Sequence, residues 1–387
     1  MPTTDFSGDG FPGLEVGGLS ATFPGKLGIL QRVLPTYRTP FFDMLATSCT
    51  GGLGVFAGLP RKNEAIEIAG NLSRADYTQA KNIHILAGAL YLCWQVGLLH
   101  WLDRFDPDVL IVEANPRYLS TRLAIRWMKQ RSRPVVGWGL GAPVIQGPLA
   151  GWRKSRRSRF IEPFEAILTY SQRGAQEYRD LGYPPERIFV APNAVAPRPK
   201  EPIRERPPYF DGKPCVLFVG RLQKRKRVDA LLRACADLPA EIRPRLVIVG
   251  DGPERNSLEL LAKEVFPGAE FPGAIHGKDL TGYYEAADLF VLPGTGGLAI
   301  QEAMSQALPV IVARGDGTQD DLVRPGNGWQ IPPDDLAVLS ATLQTALKDA
   351  PLLRRMGSES QRIVSEEINL ERMVEVFVEV ASGLLRK

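Results

Sequence analysis

Residues 216–235 read VLFVGRLQKRKRVDALLRAC, and two different periods meet inside that run. Val216 to Val219 is a short apolar block, the pattern of a strand covered on both faces. After the turn Gly220-Arg221-Leu222 and the cations Lys224, Arg225, Lys226 and Arg227, the residues Val228, Leu231, Leu232 and Cys235 recur at i, i+3, i+4 and i+7. That spacing is the apolar stripe of a helix. A strand entering a helix through a basic turn is half of a βαβ unit.

The same alternation continues downstream. Arg245 to Val249 reads as a strand, Glu254 to Val265 as a helix, Leu289 to Leu292 as a strand, Ala299 to Gln306 as a helix and Pro309 to Ala313 as a strand. Such a series predicts a parallel, doubly wound α/β sheet. Upstream, Leu27 to Val33, Val109 to Val112, Pro134 to Gly137 and Ala166 to Thr169 predict a second, less regular α/β unit. Residues 197–214 are proline-rich, charged and without periodicity, which marks a linker with a boundary near residue 205. The expected division is an acceptor-side domain over 1–204, a donor-side domain over 205–367, and a final helix over 368–387 that packs back on the N-terminal domain.

Bulk properties agree with a folded protein of about two domains. The chain has 387 residues, 44% of them hydrophobic and 23% charged. A net charge of +4 is too small over this length to indicate a nucleic-acid binder. Cys49, Cys93, Cys215 and Cys235 lie far apart, matching neither a zinc pattern nor a disulfide framework, so reduced thiols and a cytoplasmic setting are expected. Residues 1–24 read as a loose lead-in without the features of a signal peptide. Asn82 to Leu102 carries no formal charge and is interrupted by Asn82, His84, Gln95 and His100. It reads as a helix buried against a sheet, with an interfacial membrane helix as the alternative.

Ligands of open parallel sheets bind beyond the carboxyl ends of the strands, so the chemistry belongs to the strand-to-helix loops. The turn at Gly220 to Arg227 concentrates cations at a helix start, which suits a diphosphate; a solvated basic turn is the alternative. Gly250, Asp251 and Gly252 close the next strand, where glycines let backbone approach a flat ligand. Pro293, Thr295, Gly296, Gly297 and Leu298 close the third and lead to Glu302, a carboxylate suited to ribose hydroxyls or, alternatively, to the helix dipole.

Taken together, these residues resemble the retaining nucleotide-sugar glycosyltransferases of the GT-B fold, family 4, whose match extends from about Ala166 to Pro333. The resemblance rests on Gly220-Arg221-Leu222 with Lys226, on Val249 to Pro253, on Tyr284 to Pro293, and on Glu302-Ala303-Met304 before Leu308 to Ile311. Thr169-Tyr170-Ser171 and Ala191 to Val195 fit the family's approach to the linker. It implies two Rossmann-like domains facing across a cleft, with Arg221 and Lys226 stabilising the leaving diphosphate. It also implies retention without a covalent intermediate, no required metal, and no cofactor beyond the nucleotide-sugar donor, with UDP favoured and GDP the alternative. Polysaccharide or glycolipid synthesis is the usual family setting.

Two departures stand out. The family commonly has two glutamates with seven residues between them; Glu302 matches the second, while Gly294 stands in place of the first, which touches the donor sugar. The usual cleft histidine is also missing, since the matching run is Trp138-Gly139-Leu140-Gly141. His84 and His100 read as core residues, and His276 faces a pocket only by its loop position. On the acceptor side, Arg38, Glu113, Asn115 and Arg117 end or follow strands and are candidates for acceptor binding, with turn and cap roles as the alternative.

Trp152 to Phe160 joins Arg153, Lys154, Arg156, Arg157 and Arg159 to flanking aromatics. This is either a solvated basic face or a contact with anionic lipid on the inner face of the membrane, which favours a lipid-linked acceptor. Rival readings are a GT-B epimerase or hydrolase and a catalytically silent nucleotide-sugar-binding scaffold. No nucleic-acid motif accompanies the basic patch.

Overall fold

The computed structural model describes residues 21–386 except 62–63, 65, 201–204 and 316. Fourteen strands lie among them: β1 (Leu27–Val33), β2 (Leu53–Gly58), β3 (Asp76–Ile85), β4 (Leu92–Val96), β5 (Val109–Glu113), β6 (Val135–Gly139), β7 (Ala166–Thr169), β8 (Ile188–Val190), β9 (Cys215–Val219), β10 (Arg245–Val249), β11 (Glu270–Gly273), β12 (Leu289–Leu292), β13 (Val310–Ala313) and β14 (Gly328–Ile331). The first eight form one sheet in the order β4-β3-β2-β1-β5-β6-β7-β8, and the other six form a second in the order β11-β10-β9-β12-β13-β14. Every pairing is parallel except β3 with β4.

Strand order reverses once in each sheet, between β1 and β5 and between β9 and β12. At such a reversal the helices leave in opposite directions and open a crevice beyond the strand ends. The loops after β9 and β12 carry the candidate donor residues, and the segments at the ends of β1 and β5 carry the candidate acceptor residues. The two carboxyl edges meet after β7 and β13: the backbone N–H of Gln172 donates to Asp321 at 2.8 Å, and Arg173 lies 3.8 Å from Asp320.

The chain crosses between the two cores more than once. Ile368 is buried in the C-terminal core, whereas Leu370, Met373, Phe377 and Val378 are buried with Phe41, Phe42 and Trp138 in the N-terminal one. Asn369, between them, caps the helix Leu370–Leu385 by accepting from the Arg372 N–H. Gln301, only 2% exposed, joins the crossings: its carbonyl accepts from Val195 at 2.6 Å and Ala196 at 3.0 Å, and its amide donates to the Ile368 carbonyl at 2.6 Å.

Several expectations need correction. Asn82 to Leu102, expected as one helix, is the end of β3, a short turn, β4 and the start of the helix Leu98–Phe105. The lack of charge signalled shelter but carried no period. Ile83, Ile85, Trp94 and Val96 favour strands, while Leu86 (φ 59°) and Gly97 (φ 89°) break a helix. Asn82 donates from its side chain to the carbonyls of Arg32 and Leu59, tying the hairpin to its neighbours. Neither histidine of this stretch is a core residue: His100 is exposed, and His84 is half-buried with a ring nitrogen 2.9 Å from the Tyr91 hydroxyl. Within the expected lead-in, residues 1–20 lie outside the described part, but Phe23 is fully buried and donates its N–H to the Ser48 carbonyl, because an aromatic ring there fills the core under β1.

Candidate functional site

The donor-side loops are seated on one another backbone to backbone. A side chain at Gly250 would bring its Cβ to 2.0 Å from the Gly220 carbonyl oxygen, and one at Gly252 to 2.4 Å from that of Leu222. Leu222 donates to the Asp251 carbonyl at 2.8 Å, and Glu254 to the Leu222 carbonyl at 3.1 Å. These glycines therefore serve loop-to-loop approach here. Asp251 is exposed, accepts from the Gly252 N–H and pairs with Arg255, interactions that hold its carboxyl below the usual range.

The cations divide into two kinds. Arg221 is exposed and forms no ion pair among the described residues. Lys226 ends a short 3-10 turn, is 7% exposed, and donates to the Gly296 carbonyl at 3.0 Å. Burial, with Arg225 alongside, lowers its ammonium to about 8. The backbone carbonyl of Arg225 accepts from the Thr295 N–H at 3.0 Å, so the loop after β12 lies on the turn after β9.

Gly294 is trapped between them. A Cβ there would lie 2.2 Å from the Arg225 oxygen and 2.4 Å from the Lys226 carbonyl carbon, so no glutamate fits without moving the loop. The N–H groups of Gly296, Gly297 and Leu298 have no protein acceptor among the described residues. Glu302 follows in the helix Ala299–Ser305 and accepts from the Tyr284 hydroxyl at 3.1 Å. His276 is exposed on the loop after β11.

Across the cleft the candidates separate. Arg38, 5% exposed, lies 5.3–5.5 Å from the rings of Tyr37, Trp138 and Tyr170 and donates to Asn193 at 2.6 Å. Trp138, in the run that lacks the histidine, has a buried ring N–H without an acceptor among the described residues. Glu113 accepts from the Arg32 backbone N–H at 2.6 Å, and burial pushes its carboxyl up to about 7 despite the opposing effect of Arg32. Asn115 accepts from the Arg117 N–H at 3.1 Å in a tight turn, and Arg117 is exposed.

One cluster escaped the sequence reading. Arg32 donates to Glu64 at 2.7 Å with both side chains largely buried; although burial opposes its charge, bonds from Arg32 and Arg61 hold Glu64 at about 2. Tyr91 and Tyr118 border this pair, and burial raises both phenols. No motif spacing links positions so far apart in the chain.

The arrangement of two switch points facing one another has known parallels. The C-terminal residues 199–363 match the family model "Glycosyl transferases group 1", and residues 74–198 match "Glycosyltransferase Family 4". The chain belongs to the group 1, family 4 glycosyltransferases. Among family relatives, a GDP-mannose-dependent alpha-mannosyltransferase of Mycobacterium tuberculosis is 39% identical over 248 residues, covering 61% of this chain and 63% of the relative. A sulfoquinovosyl transferase of Arabidopsis thaliana is 35% identical over 157 residues, covering 38% of this chain and 29% of the relative. The chain thus spans less than two thirds of the length of each of these curated relatives.

The GT-B fold of this family 4 member is shared with solved structures. A lipopolysaccharide outer core galactosyltransferase, WaaB, matches with a TM-score of 0.66 at 16% identity, covering 93% of this chain and 100% of that one. Sucrose-phosphate synthase from Thermosynechococcus elongatus matches with a TM-score of 0.66 at 17% identity, covering 93% and 99%. Among the described residues no helix is long and apolar enough to cross a membrane.

Proposed function

We infer that this protein transfers a sugar from a nucleoside-diphosphate sugar to an acceptor in cell-surface glycan or glycolipid synthesis, with retention of anomeric configuration. The observation that carries the reading is the loop pair at the β9–β12 switch point, where, among the described residues, Arg221 forms no ion pair and Lys226 lies beside the N–H groups of Gly296, Gly297 and Leu298, which meet no acceptor. Fixed cations and N–H dipoles stabilise charge as it develops on a leaving diphosphate, and need no nucleophile on the protein. Because these groups supply the positive charge, the reaction proceeds without a divalent ion.

In this reading Glu302 takes the ribose hydroxyls once Tyr284 has oriented it. Gly294 removes side-chain recognition of the sugar, leaving that task to the Thr295 to Leu298 backbone. The naming of GDP-mannose in several relatives supports a guanine nucleotide over the UDP expected at first. Arg38 shapes the wall of the acceptor side, Glu113 and Arg117 contact the acceptor, and Asn115 holds their loop. The cations of the helix Ala150–Ile161 sit at an anionic membrane surface on the cytoplasmic side.

A thermal-shift screen against GDP, UDP and ADP and their common sugars tests the donor site, since a ligand that binds only the folded state raises its stability. A nucleotide-specific shift that disappears in Arg221→Ala and Glu302→Ala is expected. No shift with any nucleotide at millimolar concentration rejects the reading. Where a donor binds, NMR of the product anomeric centre decides retention, and bound donor without turnover favours the scaffold.

A further inference from the structure

The β3–β4 hairpin has its polar and apolar faces inverted. In this antiparallel pair Lys81 lies opposite Val96, Ile83 opposite Trp94 and Ile85 opposite Leu92, while Asn82 lies opposite Gln95 and His84 opposite Cys93. Successive side chains of a strand point to opposite faces, so one face carries Asn82, His84, Cys93 and Gln95 and the other Ile83, Ile85, Leu92, Trp94 and Val96. Antiparallel strands normally turn the apolar set toward the core. Here the polar set is turned inward. Cys93 and Gln95 are buried, Gln95 donates to the Gln31 carbonyl at 2.9 Å, and Asn82 donates to the carbonyls of Arg32 and Leu59 at 2.7 and 2.8 Å.

The apolar set meets water. Ile83, Ile85 and Val96 are 44%, 39% and 43% exposed, and at the tip Leu86 and Leu90 are 63% and 71% exposed. A shift of register by one residue would turn the strand residues inward, yet the side-chain bonds of Asn82 and Gln95 hold the register that leaves them out.

The opening is a face and not a strand edge. The Cys93 N–H donates to the Arg117 carbonyl at 3.0 Å and the Gln95 N–H to the Ser120 hydroxyl at 2.6 Å, so the start of the helix Leu119–Lys129 covers the outer edge of β4. A partner must therefore pack on the side chains rather than add a strand.

We propose that this face is a homodimer contact, in which the β3–β4 hairpin packs on the same hairpin of a second copy about a two-fold axis. Its size fits: the five exposed aliphatic residues present roughly 500 Å² per copy, so a two-fold contact removes about 1,000 Å² from water, the area at which a specific interface becomes stable. Leu92 and Trp94, half-buried on the same face, add to it. Its charge fits as well. In an isologous contact a patch meets itself, so a formal charge near its centre would meet its like, and no Asp, Glu, Lys or Arg occurs from Asn82 to Leu102. Lys81 stands only at the end of the face, opposite Val96. The apolar residues run along both strands as well as the tip, which suits a second sheet face packed about 10 Å away. The inner face of the same hairpin is bonded to the carboxyl end of β1, so association braces the rim on which the candidate acceptor residues lie. The contact requires nothing of the reaction.

Sedimentation velocity of the full chain from about 1 to 100 µM, without detergent, tests the contact. The expected species has twice the 42.6 kDa mass of the chain. Ile83→Lys with Val96→Lys sets like charges on both sides of the axis and should raise the dissociation constant more than about a hundredfold. The far-ultraviolet spectrum should not change, because both positions face water. All four native cysteines are buried, so Ile85→Cys supplies the reactive thiol for a short bismaleimide. It should cross-link at least about tenfold faster than Ser358→Cys, which is exposed on the helix Ala350–Arg362. A monomer mass at about 100 µM, whether the chain stays free or sediments with phosphatidylcholine vesicles, overturns the proposal. A dimer that survives in the double lysine variant overturns it too.

Discussion

The ammonium of Lys226 donates to the carbonyl of Gly296 across 3.0 Å, joining the turn after β9 to the loop after β12 on either side of the switch point. One buried cation thus sets the spacing of the two loops that would enclose a diphosphate. The same approach leaves no room for a side chain at Gly294.

Gly294→Glu, which restores the residue usual in the family, is therefore expected to harm this protein. The new Cβ meets backbone atoms rather than a flexible side chain, so the loop must move at a cost of about 1–3 kcal/mol. Urea denaturation should show that loss, and the nucleotide-induced thermal shift should fall with it. A variant that keeps wild-type stability and nucleotide response would show that the loop adjusts freely.

Lys226 makes donor binding depend on pH in a defined direction. Its ammonium titrates at about 8 when folded and near 10.5 when unfolded, so it loses its charge in the folded free protein as pH rises through about 8. Diphosphate affinity should decline through that range, and Lys226→Arg, whose guanidinium stays charged, should show a flatter profile. Stability moves the opposite way: between about 8 and 10.5 the unfolded chain holds more protons at this site, so the Lys226 contribution grows with pH. Calorimetric binding and chemical denaturation across pH 7 to about 10 check both signs.

Tyr284 and Glu302 form a pair whose parts separate by mutation. Burial, reinforced by Glu302, raises the Tyr284 phenol far above its ordinary value, so it remains a donor to the carboxylate. Tyr284→Phe should cost about 1 kcal/mol of stability and weaken nucleotide binding only severalfold, because the carboxylate remains. Glu302→Ala should weaken it by about tenfold or more. Equal losses of affinity in a titration of the two variants would mean that Glu302 acts only through the tyrosine.

Glu113 gives a second pH signature, on the other side of the cleft. Burial raises its folded value to about 7 from an ordinary 4.5, so between these values the folded protein holds more protons than the unfolded chain. Its contribution to stability is full below about 4.5 and is lost as pH rises through about 7. Glu113→Gln keeps an acceptor for the Arg32 N–H and should flatten this part of the stability profile. Urea midpoints measured from about pH 4.5 to 7.5 decide it.

Much of the fold was legible because buried parallel strands are written as continuous apolar blocks. Leu27–Val33, Arg245–Val249 and Leu289–Leu292 were readable to the residue, and β9, β12 and β13 were placed with the loops that follow them. β2, β11 and β14 were missed because their segments include glycine, proline or polar positions that dilute the pattern, and β8 because its three residues, Ile188–Val190, are too short to show a period. The β3–β4 hairpin was misread because an uncharged stretch specifies shelter from charge without specifying a period.

Local sequence determined which residues can be strands and helices, which turns are basic or glycine-rich, and hence the family and the donor-side loops. Only the tertiary structure decided the strand order that puts those loops at a crevice, the closeness of Gly294 to Arg225 and Lys226, and the neutral-range carboxyl of Glu113. The reason is physical: hydrophobic period and turn chemistry act between residues near in sequence, whereas desolvation and backbone-to-backbone approach depend on what distant segments bring against a residue.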